Sequence, residues 1–206
     1  MRVFPVLGSI GCVVLVVSFL VAMGACSSAQ STAGPVPAIG AVVPDFTLKD
    51  YEGNDHTLSA LKGKIVVLDF SSQECPYSRG VDKTGIVALA NEYAAKGVVV
   101  LAIDSHKGTT PEQIKQYASD NKVPYPVLKD VGNKYADAVG ASRTPEFYVL
   151  DKDLKLAYHG AFDDRKDPEK AGEKPYVKNA LEDLLAGRPV KESQVAAWGC
   201  SIKRAQ

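Results

Sequence analysis

Residues 65–79 read IVVLDFSSQECPYSR. Apart from Asp69, the first six are apolar and rich in β-branched side chains, and they do not alternate with polar residues. A run of that kind fits a strand buried on both faces. A short polar turn follows, then Cys75. Pro76 after it suits the first turn of a helix, where its missing N–H is no loss. A cysteine at the joint between strand and helix lies at the positive end of a helix dipole, where the thiolate is stabilised and its pKa falls. Cys75 is therefore the expected redox centre. The competing reading of such a residue is a buried structural thiol.

Outward from this joint the chain keeps alternating strand and helix. Val81, Ile86, Leu89, Ala90, Tyr93 and Ala94 recur at helical spacing up to Gly97, with Gly80 and Gly85 predicting a bend. Residues 98–103 form a second buried strand. Residues 111–121 form a helix opened by Thr110 as N-cap and Pro111. A short apolar piece at 127–128, a short helix at 133–139, a hairpin of 146–150 with 155–158, and an amphipathic helix at 176–185 complete the core. Upstream, 43–48 is extended and 50–54 has turn chemistry, while the charged stretch 163–174 (DDRKDPEKAGEK) reads as a solvated loop. Two βα units, a hairpin and a last helix define an α/β class with a central mixed β-sheet flanked by helices.

The 206 residues carry 24 Lys+Arg against 24 Asp+Glu, so no net field draws the chain to nucleic acid, and none is expected as a partner. Four cysteines are too few for a disulfide scaffold, so each is judged by its place. Arg2 precedes an apolar stretch from 3 to 23 that ends in Met23-Gly24-Ala25-Cys26, as a secretory signal does. A retained anchor is the alternative, since about 20 apolar residues span a bilayer. Gly8, Gly11 and Gly24 weaken such a helix. The four residues resemble a bacterial lipobox, with Met where Leu is commoner. That resemblance implies that 1–25 is a lipoprotein signal peptide and that Cys26 is lipidated. Residues 26–39, rich in Ser, Ala, Gly and Pro, then form a flexible tether, and 40–206 the domain with its C-terminal tail. The expected location is the cell envelope, lipid-anchored to a bacterial membrane on the extracytoplasmic side. Cys12 is then discarded, Cys26 carries lipid, and Cys75 and Cys200 remain as thiols.

Three further stretches carry a family resemblance. Residues 39–70, including VPDFTLKDYEGNDHTLSALKGKIVVLDF, resemble the opening of the alkyl hydroperoxide reductase and thiol-specific antioxidant superfamily. Residues 143–160, RTPEFYVLDKDLKLAYHG, resemble the cis-proline turn and hairpin of thioredoxin-like proteins. YVKNALEDLLAGRPV at 176–190 and GCSIKR at 199–204 are similar to the C-terminus of a peroxiredoxin-like, redoxin-type branch. The resemblance implies a thioredoxin-like fold and a thiol-dependent oxidoreductase acting on a peroxide or a disulfide, with an external thiol as reductant and no cofactor. It also implies a cis peptide at Thr144-Pro145, with a backbone edge left free for an extended thiol substrate. An ordinary trans turn proline is the alternative.

The same resemblance supplies candidate site residues around Cys75. Asp69 stands where thioredoxins carry a buried acid, whose raised pKa suits proton transfer; the other reading is a solvated strand end. Ser72 matches the Ser or Thr that peroxiredoxins place three residues before the cysteine to hydrogen-bond its thiolate. Leu68 stands where they have proline, and Ser78 where thioredoxins have a second cysteine, so no local disulfide can close. Arg79, four residues on, and Arg143, before Pro145, are candidates for holding the thiolate and polarising an O–O bond, or are surface charges. Cys200 is either the resolving thiol for oxidised Cys75 or a spare one. His56, His106 and His159 are scattered and predict no metal site. A second function class stays open: a non-catalytic lipoprotein of this fold that binds a partner or copper.

Overall fold

The computed structural model describes residues 1–3 and 34–204, so the signal-peptide reading, Cys12 and the lipidation expected at Cys26 lie outside the described residues. The chain divides into two units, 1–30 and 31–206, and the fold described is that of the second. Its elements are β1 (Thr47–Asp50), β2 (Asp55–Thr57), β3 (Ile65–Ser71), α1 (Pro76–Val81), a π-helical turn (Asp82–Ile86), α2 (Val87–Ala94) and β4 (Val98–Asp104). There follow α3 (Pro111–Asp120), β5 (Val127–Lys129), α4 (Lys134–Val139), β6 (Arg143–Thr144), β7 (Glu146–Leu150), β8 (Leu156–Gly160), α5 (Tyr176–Leu185) and β9 (Cys200–Ser201).

Seven strands form one mixed sheet in the order β2-β1-β5-β4-β3-β7-β8, and β6 with β9 forms a separate pair. Strand β3 is central, parallel to β4 and antiparallel to β7. All seven of its residues are buried, because both faces are covered. Val66, Leu68 and Phe70 meet Tyr135, Ala136 and Val139 of α4 on one face. On the other, Ile65 and Val67 join Val81, Ile86, Leu89 and Tyr93 with Val177 and Leu181 of α5. Strand alternation therefore directs Asp69 toward the helix that begins after Cys75.

Within 76–94, where Gly80 and Gly85 predict a bend, a π-helical turn joins α1 and α2. The glycines have another use. A Cβ at Gly80 would lie 1.8 Å from the carbonyl oxygen of Pro168, and one at Gly85 would lie 2.3 Å from the Phe162 ring. They let the segment 162–168 cross the helix at close range. Thr110 caps α3 as expected, its hydroxyl accepting from the Gln113 amide while the Gln113 side chain accepts from the Thr110 amide.

Two expectations change. The described packing begins at Gly34, ahead of residue 40. The Gly34 amide donates to the Asp137 carbonyl at 2.7 Å, and Val36 packs against the core. The stretch 163–174 is not simply solvated. Asp163 and Arg165 are 3% and 4% exposed, and the Asp163 carboxylate accepts from Arg165 Nε at 2.9 Å and Nη2 at 2.7 Å and from the Gly172 amide at 3.0 Å. A buried pair of opposite charges, with its remaining lone pairs filled, holds this loop in shape.

Candidate active site

Cys75 is the N-cap of α1, with extended φ −91° and ψ 120°, and Pro76 begins the helix. Its amide donates to the Ser72 carbonyl at 3.0 Å, which closes the polar turn. Cys75 is 2% exposed. Its sulfur lies 2.9 Å from the Thr144 carbonyl oxygen and 2.7 Å from the sulfur of Cys200, both cysteines being free thiols. These are the two thiols expected to remain, and the fold brings them together across 125 residues of sequence.

Backbone pairing places Cys200 there. Strand β9 runs antiparallel to β6, with Thr144 opposite Cys200 and Arg143 opposite Ser201. The Thr144-Pro145 peptide is cis, as expected. The edge beside it is not free, however: the chain's own tail occupies it. Gly199, at φ +107°, makes this possible, since a Cβ there would lie 2.3 Å from the Thr144 carbonyl oxygen.

The two sulfurs are electrostatically unlike. Burial pushes the Cys75 pKa up, but hydrogen bonds from the Cys200 thiol, the Ser78 and Cys200 amides and the Thr144 side chain outweigh it, and the net shift is downward. Cys200 is pushed up to about 11, by burial first and then by acting as donor to Cys75 and feeling its negative charge. Lys203 and Arg143 offset part of that rise. The arrangement is a thiol of lowered pKa at the helix start facing a thiol of raised pKa on the tail.

Asp69 is 1% exposed, and among the described residues its Oδ1 has no hydrogen-bond partner. Burial, then the charges of Asp82 and Cys75, push its pKa well above the carboxylate range. Asp82, in the π-helical turn, is raised to about 6 by burial, although the Tyr117 hydroxyl at 2.7 Å and the Tyr125 hydroxyl at 3.4 Å donate to it.

The remaining candidates are placed differently from expectation. The Ser72 hydroxyl accepts from the Glu74 amide at 3.2 Å, so it shapes the turn. One donor at the sulfur is the amide of Ser78, and the Ser78 hydroxyl in turn accepts from the Ser72 amide at 3.3 Å. Arg79 is exposed and donates to the Gln73 carbonyl at 3.2 Å, away from Cys75. Arg143 is exposed and donates to Ser201 Oγ at 3.3 Å, and its charge is felt at Cys200. Arg79→Ala is therefore expected to change the iodoacetamide alkylation rate of Cys75 by less than about twofold, as exposed charges do. A tenfold loss would mean that the guanidinium reaches the sulfur.

Sequence reasoning missed two supports. Glu146, directly after Pro145, accepts from the amides of Ser142 at 2.8 Å and Arg143 at 2.7 Å and pairs with His159 Nε2 at 2.7 Å, which fixes the loop that carries Thr144. Trp198 holds the tail. Its Nε1 donates to the Asp163 carbonyl at 2.7 Å, with the Arg165 guanidinium 5.5 Å and the Tyr77 ring 5.5 Å from its rings. A carboxylate one residue past the turn proline was the available signal for the first. A lone Trp in a small-residue tail was the signal for the second.

A thioredoxin-like fold whose site is a cysteine at a helix start, a cis-proline turn and a second cysteine defines a thiol-redox class of protein. The chain belongs to the AhpC/TSA family, whose model matches residues 39–159. It is 31% identical over 145 residues to "Peroxiredoxin Q, chloroplastic" of Gentiana triflora, covering 62% of this chain and 61% of that protein. It is 30% identical over 125 residues to "Thiol-disulfide oxidoreductase ResA" of Bacillus thuringiensis (strain Al Hakam), covering 57% of this chain and 66% of that one. Among solved structures, an uncharacterized conserved protein from Geobacillus kaustophilus superposes with a TM-score of 0.76 at 36% identity, covering 82% of this chain and 93% of its own.

Proposed function

We propose that this protein is a thiol-dependent oxidoreductase that cycles Cys75 and Cys200 between two thiols and an intramolecular disulfide. The observation that carries this reading is the pair of free sulfurs 2.7 Å apart, one with a lowered and one with a raised pKa. The Cys75 thiolate attacks one sulfur of a disulfide, forming a mixed disulfide and expelling the other sulfur as a thiolate. Cys200 then loses its proton and attacks the Cys75 sulfur, which expels the remaining thiol and closes the Cys75–Cys200 bond. With a hydroperoxide, the thiolate takes the terminal oxygen to give a sulfenic acid, the alcohol leaves, and Cys200 closes the same bond with loss of water. Two equivalents of an external thiol restore the dithiol. No reaction on this route requires a cofactor.

Disulfide exchange fits the site better than peroxide cleavage, because neither Arg79 nor the Ser72 hydroxyl is turned to the Cys75 sulfur. The roles assigned are nucleophile for Cys75, resolving thiol for Cys200, proton exchange for Asp69, thiolate support from the Ser78 amide, and substrate positioning at Thr144 and Pro145. For the copper form of the binding-only alternative, among the described residues no group of three or more His, Cys, Asp and Glu gathers. The sequence at 23–26 supports an extracytoplasmic lipoprotein anchored through Cys26.

A non-reducing peptide map after treatment with a small disulfide tests the cycle. The expected product joins the peptide containing Cys75 to the one containing Cys200 within one chain. Adducts left on Cys75, or links between chains only, would remove the resolving role of Cys200.

A further inference from the structure

The edge beside Thr144 is where a thioredoxin-like site would take an extended polypeptide as an added strand. Here it is already paired, with Cys200 opposite Thr144. The occupying segment is anchored at both ends. On one side the Val195 amide donates to the His159 carbonyl at 3.1 Å and the His159 amide to the Ser193 carbonyl at 2.9 Å. On the other, the Ile202 amide donates to the Ser142 carbonyl at 3.0 Å, Ile202 is buried in the core, and Arg204 pairs with Asp137 at 2.6 Å. Between these feet, residues 196–201 arch over Cys75 with Trp198 as the middle attachment, through Asp163, Arg165 and Tyr77. A small molecule needs only a local opening of such an arch, whereas a polypeptide strand needs all of β9 to leave β6.

We propose that residues 196–201 are a built-in occupant of the polypeptide-binding edge, that they restrict Cys75 to small disulfides and hydroperoxides, and that Trp198 is the specificity-determining residue that keeps the edge closed. This rests on the reading of Cys75 as the redox nucleophile and names the substrate class of that same site. Exclusion is by occupancy, so loosening the arch admits polypeptides without altering the chemistry at the sulfur.

The experiment uses the full chain carrying Cys200→Ser, which retains the β6–β9 backbone pairing and leaves the Cys75 adduct unresolved. Two probes are compared. One is 2,2′-dithiodipyridine, and the other is the peptide AAWGCSIK, the sequence of residues 196–203, activated as its 2-pyridyl disulfide. In each case the Cys75 thiolate bonds to a probe sulfur, the probe S–S bond breaks, and 2-thiopyridone leaves and is read by absorbance. Each rate is normalised to that of the same probe with free cysteine. The small probe is expected to react at least about a hundredfold faster than the peptide. Adding Trp198→Ala is expected to raise the peptide rate at least about tenfold and the small-probe rate less than about twofold.

Equal normalised rates in the Cys200→Ser chain overturn the proposal whether or not the second variant folds. So does an equal rise of both rates with Trp198→Ala, which would make the arch a plain cover, or no change in either. The underlying function reading fails separately, if Cys75 reacts with neither probe faster than free cysteine does.

Discussion

Cys75→Ser is expected to lower turnover of small disulfides by on the order of a thousandfold or more, since a serine hydroxyl is not ionised at neutral pH and is a far weaker nucleophile than a thiolate. Cys200→Ser is expected to do something different. A serine hydroxyl at 200 still donates to the thiolate, and the Ser78 amide still supports it, so the first attack by Cys75 keeps its rate within a few fold. What is lost is resolution. The mixed disulfide accumulates in one equivalent, and steady-state turnover then requires a high concentration of external thiol. Stopped-flow measurement of the burst and of the following steady state separates the two variants, as burst kinetics separate chemistry from later steps. Loss of the burst in Cys200→Ser would make Cys200 part of the attack rather than of resolution. The alkylation rate of Cys75 should fall as pH drops through its lowered pKa, because only the thiolate reacts.

The difference between the two cysteines follows from what each borrows from the backbone. Cys75 is placed by local sequence: an apolar run, a polar turn and a proline make strand, joint and helix with no help from distant residues. That part of the site is legible from residues 65–79, and so is the cis turn at Thr144-Pro145 once the flanking hairpin is recognised. Cys200 is placed by pairing with Thr144, distant in sequence, in a tail whose residues 196–201 have no helical or strand period. Its anchor is equally non-local. Asp163 and Arg165 read as solvated charges, and only the packed structure shows that they bury each other and present a carbonyl and a guanidinium to Trp198. Arg79 fails for a geometric reason. A residue four positions on shares a helix face only when both positions are helical, and Cys75 is still extended. Ser72 fails because its hydroxyl has a nearer amide, that of Glu74.

Asp69→Asn is expected to make the protein more stable and less active at once. Asp69 faces the α1 side from the central strand, between Ala102 of β4 and Phe147 of β7, so water cannot solvate its charge. Its folded pKa is raised well above the ordinary carboxylate value. Below about pH 4 the side chain is protonated in both the folded and unfolded states, and it carries no penalty. As pH rises from there, the unfolded chain releases the proton while the folded chain keeps it. The unfolded state then binds fewer protons, and stability falls until the folded pKa is passed. Asp82 adds a penalty of the same sign between about pH 4 and its own value of about 6. Asparagine at 69 does not titrate, so the variant should gain on the parent as pH rises, by about 1–3 kcal/mol at pH 8 in urea unfolding. Activity moves the other way. Cys200, held near 11, must lose a proton to attack, and Asp69 is the buried carboxylate coupled to its partner sulfur. Closure of the Cys75–Cys200 bond at pH 7 should slow by about a hundredfold, the usual scale of a lost proton-exchanging group. A variant that gains stability and keeps its closure rate would leave Asp69 as an uncompensated buried charge with no part in moving the proton.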